Sequence, residues 1–502
     1  MRVFEVRSLD LAARIGRLRT RSGVVQTPTV FPVVHPFRQE VPLDEIRRCG
    51  FEAVMTNSYI MYRHAKDRPL APVHQTLGFS GPIATDSGGY QALEYGEVEA
   101  DPATMVKVQE ELGSDIAVIL DLPTRASWSR KKAEESVSRT LQAAEITAQT
   151  RSREDILWMG TIQGGRYLEL VEFCTERLLQ LGFPLLALGG PVEVMEEYDF
   201  ETLASMILAA KRRMPHSIPL HLFGAGHPLT IPLACALGCD TFDSASYIIY
   251  ARGNRYLTGN GTARLEQLTT LPCNCRVCSS YTVRDLLQTE QAERTRLLAI
   301  HNLSILGQTI AEVRQAIQEG RLWELLANKA RNHPRLWNAF RRIAAASGYF
   351  EPGTPVRKPR AIFFSSTPDH RRPEVIRHHT RLTNDYTTDS NRLVIIPMPE
   401  ETTFARSKWP RELARRELKP PHYAVFLFSR AMGLIPIEIC EIYPLSQHVA
   451  SKDQTLLKAA ISRARRWISK QHFTELLVLT DAESREEMQR LARAINGKLV
   501  EI

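Results

Sequence analysis

The chain has 502 residues, 43% of them hydrophobic and 24% charged, a globular composition on a length that one core rarely fills, so at least two domains are expected. No apolar run approaches the roughly 18 residues of a membrane-spanning helix, and the opening Met-Arg-Val-Phe-Glu-Val-Arg is charged and strand-like, which points to a cytoplasmic protein with no membrane partner. The net charge of +8 is concentrated, since residues 351–502 carry 25 Lys and Arg against 18 Asp and Glu, a net of +7 that leaves +1 for the first 350. Such a surface suits a polyanionic partner, because neutralised phosphates release counterions; a merely solvated face is the plainer alternative.

In chain order, eight apolar or β-branched runs occupy 29–34, 53–57, 82–86, 115–121, 157–163, 185–190, 219–224 and 239–243. Amphipathic stretches separate them, the pattern of repeated βα units on a parallel sheet. One such helix is clearly punctuated, with Asp101 as N-cap, Pro102 in the first turn and Gly113 at the end. Eight strands with intervening helices predict a (β/α)8 TIM barrel, whose active site lies at the C-terminal strand ends. The residues standing there are Asn57, Asp86, Asp121, Gln163, Gly189, Gly190, Gly224 and Asp243. A carboxylate ending a buried strand is costly without a partner or a task. Any one of the three could simply cap the following helix, but three on one rim look like a catalytic floor.

After the last barrel strand comes Cys273-Asn-Cys275-Arg-Val-Cys278, with His301 following 23 residues later in a helical run. Cys49, Cys174, Cys235, Cys239 and Cys440 are scattered through apolar segments, which argues against a disulfide framework. Three thiolates and an imidazole suit one tetrahedral Zn2+ with every coordination position filled by protein, hence a structural ion. Three unligated thiols beside a core histidine is the alternative. The ion would pin an insertion at about 265–345 onto the helix carrying His301.

Residues 351–360, Pro-rich and basic, mark a linker. Beyond it, strands are expected at 361–366, 393–397, 423–429 and 475–480, and helices at 453–471 and 484–496. The expected architecture is therefore α/β throughout: a barrel domain with a zinc-binding insertion over 1–350, then a smaller basic α/β accessory domain over 361–502.

Thr85-Asp-Ser-Gly-Gly-Tyr-Gln91, the Gly164-Gly165 pair after Gln163, Phe242-Asp-Ser244 and the Cys-X-Cys-X2-Cys…His set together resemble the tRNA-guanine transglycosylases, over most of residues 1–345. His221-Leu-Phe-Gly-Ala-Gly-His-Pro228, Tyr250-Ala-Arg-Gly-Asn-Arg-Tyr256 and the C-terminal extension favour the archaeal branch. That resemblance implies replacement of a D-loop guanine of tRNA, at position 15, by 7-cyano-7-deazaguanine in archaeosine biosynthesis, through a covalent double displacement. It implies Asp243 as nucleophile on the ribose C1′ and Asp86 as general acid and base, although the reverse assignment is also carried by the family. Asp121 would read the guanine-like edge, helped by Ser87, Gln163 and the backbone of Ala187, Gly189 and Gly190.

The chain makes two departures from the archaeal pattern, Gly89-Tyr90 where Ser-Phe is common and Gly190 where serine is common. The resemblance also implies a homodimer or hetero-oligomer, and a separate PUA-domain protein that supplies the RNA-binding module found in longer relatives. An archaeosine synthase would share the architecture without needing both Asp86 and Asp243, and a non-catalytic tRNA-binding subunit would be free to lose Asp86, Asp121 or Asp243; this chain has all three.

Overall fold

The computed structural model describes residues 3–65, 69–89, 101–399 and 402–502. Tyr90 and Gln91 of the Thr85–Gln91 motif lie outside the described residues. The chain divides into two compact units, one of Met1–Gln318 with Leu325–Phe340, the other of Glu319–Glu324 with Arg341–Ile502.

The first unit opens with an antiparallel sheet of β1 (Phe4–Asp10), β2 (Ala13–Thr20) and β3 (Gly23–Thr27). The eight expected barrel strands follow as β4 (Thr29–Pro32), β5 (Val54–Asn57), β6 (Ile83–Asp86), β7 (Ile116–Val118), β8 (Leu157–Ile162), β9 (Leu185–Leu188), β10 (Leu220–Leu222) and β11 (Thr241–Ser244). Their order is β4-β11-β10-β9-β8-β7-β6-β5, and every pairing is parallel. A parallel bridge between Val33 and Met55, with Val34 N–H donating to the Met55 carbonyl at 2.8 Å, joins β4 to β5 and brings the sheet round to a barrel.

Because the strands are buried on both faces they read as near-continuous apolar runs. Phe31, Met55, Ala84, Val118, Met159 and Ala187 pack inside the barrel against Phe4, Leu18 and Val25 of the antiparallel sheet, so that sheet covers the N-terminal mouth. The opposite mouth is left to the strands' C-terminal ends. Helix Pro102–Leu112 has the expected ends: the Asp101 side chain accepts from Thr104 N–H, and Gly113 takes the left-handed conformation. After β11 come a hairpin of Arg255–Thr258 and Gly261–Arg264 and the long helix Gln291–Glu319.

The second unit has a five-stranded sheet in the order Gly433–Pro436, Ala424–Ser429, Arg392–Pro397, Glu475–Thr480, Lys498–Glu501, parallel except at the first pair. Two apolar cores form, one around Val394, Val425 and Leu479, the other around Ile395, Phe426 and Trp467. Strand residues from both cores alternate along the sheet, as the two-residue side-chain period requires. Within the stretch expected as a linker, Thr354 and Lys358 are buried, and Lys358 pairs with the buried Glu374, which also contacts Arg372. Among the described residues no helix is long and apolar enough to cross a membrane.

The cap and barrel are fastened by an ion pair. Arg14 of β2 and Asp240, just before β11, are both buried; Arg14 Nε donates to Asp240 Oδ1 at 2.9 Å, and Asp240 Oδ2 also accepts from Leu220 N–H at 2.9 Å. Removing one partner strands a charge in a dry interior. Asp240→Ala should therefore lower stability by about 3–5 kcal/mol, read as a fall in Tm; a variant that melts like the parent would deny the pair this role.

Candidate active site and metal centre

Asp86 ends β6 beside Asn57, its register partner at the end of β5. The Asn57 amide nitrogen donates to Asp86 Oδ2 at 3.1 Å, while its oxygen accepts from Ile60 N–H at 2.8 Å and so caps the helix Ser58–Ala65. Ser58 Oγ donates to the Asp86 carbonyl at 2.8 Å. Burial, then the nearby charge of Asp243, raises the Asp86 carboxyl to about 6, against hydrogen bonds from Gly88, Ser87 and Asn57 that favour the ionised form. A carboxyl so placed can hold or release a proton near neutral pH.

Asp121 stands beyond β7. Burial, and secondarily the charge of Asp86, raises it to about 7. Gln163 holds it, donating from Nε2 to Asp121 Oδ2 at 2.6 Å and accepting at Oε1 from Thr124 N–H at 2.8 Å. The wholly buried Gln163 thus has both ends of its amide engaged by protein. Two glycines make room for this network: a Cβ on Gly189 would lie 2.1 Å from Gln163 Nε2, and Gly190, at φ +71°, would set one 2.3 Å from the Thr124 carbonyl. Ser87 is buried and donates to the Ile119 carbonyl at 2.7 Å, and Ala187 is buried on β9.

Asp243, on β11, has a side chain 13% exposed. Its Oδ1 accepts from Gly224 N–H at 2.9 Å and lies 3.1 Å from Nε2 of the wholly buried His221, whose Nδ1 lies 3.0 Å from Thr241 Oγ. The structure therefore gathers Asp86, Asp121, Asp243 and Gln163 at one barrel mouth. Each carboxylate is supported by neighbours that sequence reasoning left without a role: Asn57 for Asp86, Thr124 through Gln163 for Asp121, and His221 for Asp243. The available signal for His221 was a polar residue inside the apolar run 219–224, on the face that alternation assigns to the barrel interior.

Cys273, Cys275, Cys278 and His301 converge, with all four ligand atoms within 4.8 Å of one another. Sγ of Cys275 and of Cys278 lie 3.5 and 3.3 Å from His301 Nδ1. Bonds of about 2.3 Å to sulfur and about 2.0 Å to nitrogen give tetrahedral edges of about 3.5 Å, so this spacing and donor set fit a metal ion. His301 Nε2 donates to the Leu257 carbonyl at 2.8 Å, which turns Nδ1 toward the thiols, and the Tyr256 ring stacks on the imidazole at 3.7 Å. Arg276, inside the cysteine loop, reaches Glu45 at 2.9 Å and ties the loop to the helix Leu43–Arg48.

Comparison with known proteins gives a consistent result. Residues 10–335 match the family described as queuine tRNA-ribosyltransferase. Proteins named tRNA-guanine(15) transglycosylase are similar over most of the chain. The one from Saccharolobus solfataricus is 41% identical, covering 89% of this chain and 90% of its own length. That from Pyrobaculum aerophilum is 40% identical, covering 93% of each. A longer relative from Methanocaldococcus jannaschii is 37% identical and is covered over 68% of its length.

The raised carboxyls carry a stability cost of known sign. With folded values of about 6 and about 7 against an ordinary 3.8, the folded state holds more protons than the unfolded chain between about pH 4 and 7. Their contribution therefore falls as pH rises through that window and is most unfavourable above it. Asp121→Asn, close in shape but uncharged, should stabilise the protein at pH 8 by on the order of 2 kcal/mol and by less at pH 5. Equal effects at both pH values in paired melting curves would contradict the raised carboxyl.

Proposed function

The chain belongs to the queuine tRNA-ribosyltransferase family, and on that premise we propose that it exchanges the guanine at position 15 of tRNA for 7-cyano-7-deazaguanine, with Asp243 as nucleophile and Asp86 as proton carrier. It is a pentosyltransferase, an enzyme that moves a ribosyl group between bases. The observation that carries the division of labour is the unlike setting of the two carboxyls: Asp86 is pushed up to about 6, whereas Asp243 takes hydrogen bonds from Gly224 N–H and His221. A carboxyl that can hold a proton near neutral pH suits the acid and base role, and a carboxylate oriented by two donors on one oxygen suits attack. The reverse assignment would ask the group with the raised value to attack.

In the proposed reaction an Asp243 carboxylate oxygen bonds to the ribose C1′ as the C1′–N9 bond breaks, and the departing guanine takes a proton from Asp86. The ionised Asp86 then removes a proton from the incoming base, whose nitrogen attacks C1′ and displaces Asp243. Two displacements retain the configuration at C1′ and never cut the strand. Asp121, ionised, accepts the two hydrogens on the guanine-like edge, and Gln163 fixes its orientation. The nucleotide must leave its stack to reach this floor, at a cost of a few kcal/mol that phosphate contacts elsewhere offset.

We assign one zinc ion to Cys273, Cys275, Cys278 and His301, where it would supply cross-linking of the loop to the helix Gln291–Glu319 and no open coordination position. Its partners are protein groups alone, so its place is to brace the fold.

Three measurements bear on these assignments. With tRNA labelled in guanine and free 7-cyano-7-deazaguanine, tested alone and with a PUA-domain protein added, label should be released; no release in either case contradicts the proposal. Asp243→Asn should abolish a denaturant-resistant tRNA adduct, and an adduct that persists moves the nucleophile elsewhere. Asp121→Ala should raise KM for the free base by at least about tenfold while leaving tRNA affinity within about twofold. For the metal, one zinc per chain is expected, and chelation should lower Tm together with activity; immediate loss of activity at an unchanged Tm would refute the bracing role.

A further inference from the structure

Resting on the reading of Asp243 as nucleophile, we propose that His221 is a positioning residue which, with Gly224 N–H, holds Oδ1 of Asp243 so that Oδ2 is the oxygen that attacks C1′. Strand register sets this up. His221 on β10 pairs with Thr241 on β11, and the two-residue period puts Asp243 on the same face as Thr241. One imidazole thus lies between a hydroxyl at 3.0 Å and a carboxylate at 3.1 Å.

With Asp243 ionised, as attack requires, and the ring neutral, the chemistry of the three groups gives the direction of both bonds. An ionised carboxylate only accepts, so the hydrogen shared with Asp243 sits on His221 Nε2. In the neutral ring Nδ1 is then an acceptor, and the Thr241 hydroxyl, which can donate, supplies its hydrogen. Thr241 selects the tautomer and His221 transmits that choice to the nucleophile. Both donors to Asp243, His221 Nε2 and Gly224 N–H, converge on Oδ1. Two bonds to one oxygen fix the carboxylate plane about the Cβ–Cγ bond and leave the electron pairs of Oδ2 for the forming bond to C1′.

The imidazole itself is immobilised by its surroundings. His221 is wholly buried, with the Phe223 ring edge-on at 4.9 Å and Phe31 at 6.0 Å. A mobile nucleophile would spend much of its time out of line with C1′, and misplacement on the scale of 1 Å is enough to cost about a hundredfold in rate. His221 touches neither sugar nor base in this scheme; it acts through Asp243.

The test is the single-turnover rate of covalent adduct formation at saturating tRNA, measured together with KM for tRNA and Tm. His221→Phe keeps a flat ring and removes both nitrogens; the rate should fall by about 10- to 100-fold with KM for tRNA within about twofold of the parent. His221→Gln returns an amide donor close to the position of Nε2 and should recover the rate to within about fivefold. Thr241→Val should slow the step by about three- to tenfold, and Thr241→Ser should restore it.

His221→Phe reacting at the parent rate would overturn the proposal. So would His221→Gln as slow as His221→Phe when both melt like the parent, since packing alone would then explain the histidine. Should His221→Phe fail to fold, the Thr241 pair decides: valine and serine variants of equal rate overturn the proposal, and a valine defect rescued by serine supports it. An unaltered chain that forms no adduct would instead strike the base-exchange reading beneath it.

Discussion

The constraint on which the rest of the structure depends is the gathering of three carboxyl groups at one end of a buried barrel. Asp86, Asp121 and Asp243 stand at or near the ends of strands whose other residues are enclosed. Water cannot screen them well there, and each raises the electrostatic cost of ionising the next. The protein answers with fixed dipoles and donors. The Asn57 amide serves Asp86, the Gln163 amide serves Asp121, and Gly224 N–H with His221 serves Asp243. Even the glycines of the rim answer to this need, since Gly189 and Gly190 vacate the volume that the Gln163–Thr124 network occupies.

Placing the supporting groups on strands gives the site its stiffness. Asn57, His221 and Thr241 all belong to the barrel ladder, so their positions are set by register and by a core that reaches down to Phe4, Leu18 and Val25 at the opposite mouth. A base-exchange enzyme must hold a sugar on the protein while one base leaves and another arrives, and a floor that shifted between the two halves would lose the sugar to water. The Cys3His centre stands apart from that chemistry. Its imidazole is oriented by the Leu257 carbonyl and its loop is tied down through Arg276 and Glu45, which makes it an anchor of the segment after β11.

Much of this was legible in the sequence because parallel strands buried on both faces leave a simple trace, an uninterrupted apolar run ended by a polar residue. All eight runs are barrel strands, and the Cys-X-Cys-X2-Cys loop does meet His301. The ends were read too long where the chain leaves the ladder before its polar residue. The run expected at 115–121 pairs only over Ile116–Val118, and Asp121 lies in the mouth beyond it. Short edge strands such as Gly433–Pro436 and Lys498–Glu501 escaped notice, because four residues with one partner give no period to detect. Lys358 sits in a Pro-rich basic stretch that looks solvated, yet it is buried on Glu374, a partner 16 positions away that local composition cannot announce. His221 was quoted within a motif but given no task, since its meaning depends on a neighbouring strand.

The central claim is that this floor lifts two of its carboxyls far above the ordinary range, Asp86 to about 6 and Asp121 to about 7, while the third is held by Gly224 N–H and His221. Infrared difference spectra of the carboxyl stretch, recorded across a pH titration of the parent against Asp86→Asn and Asp121→Asn, test that claim most directly. The account predicts two protonated carboxyl bands that disappear with midpoints near 6 and 7, each missing from the corresponding variant. Both bands vanishing by pH 4.5 would contradict it, because the carboxyls would then behave as solvated groups and the arrangement around them would have no electrostatic purpose.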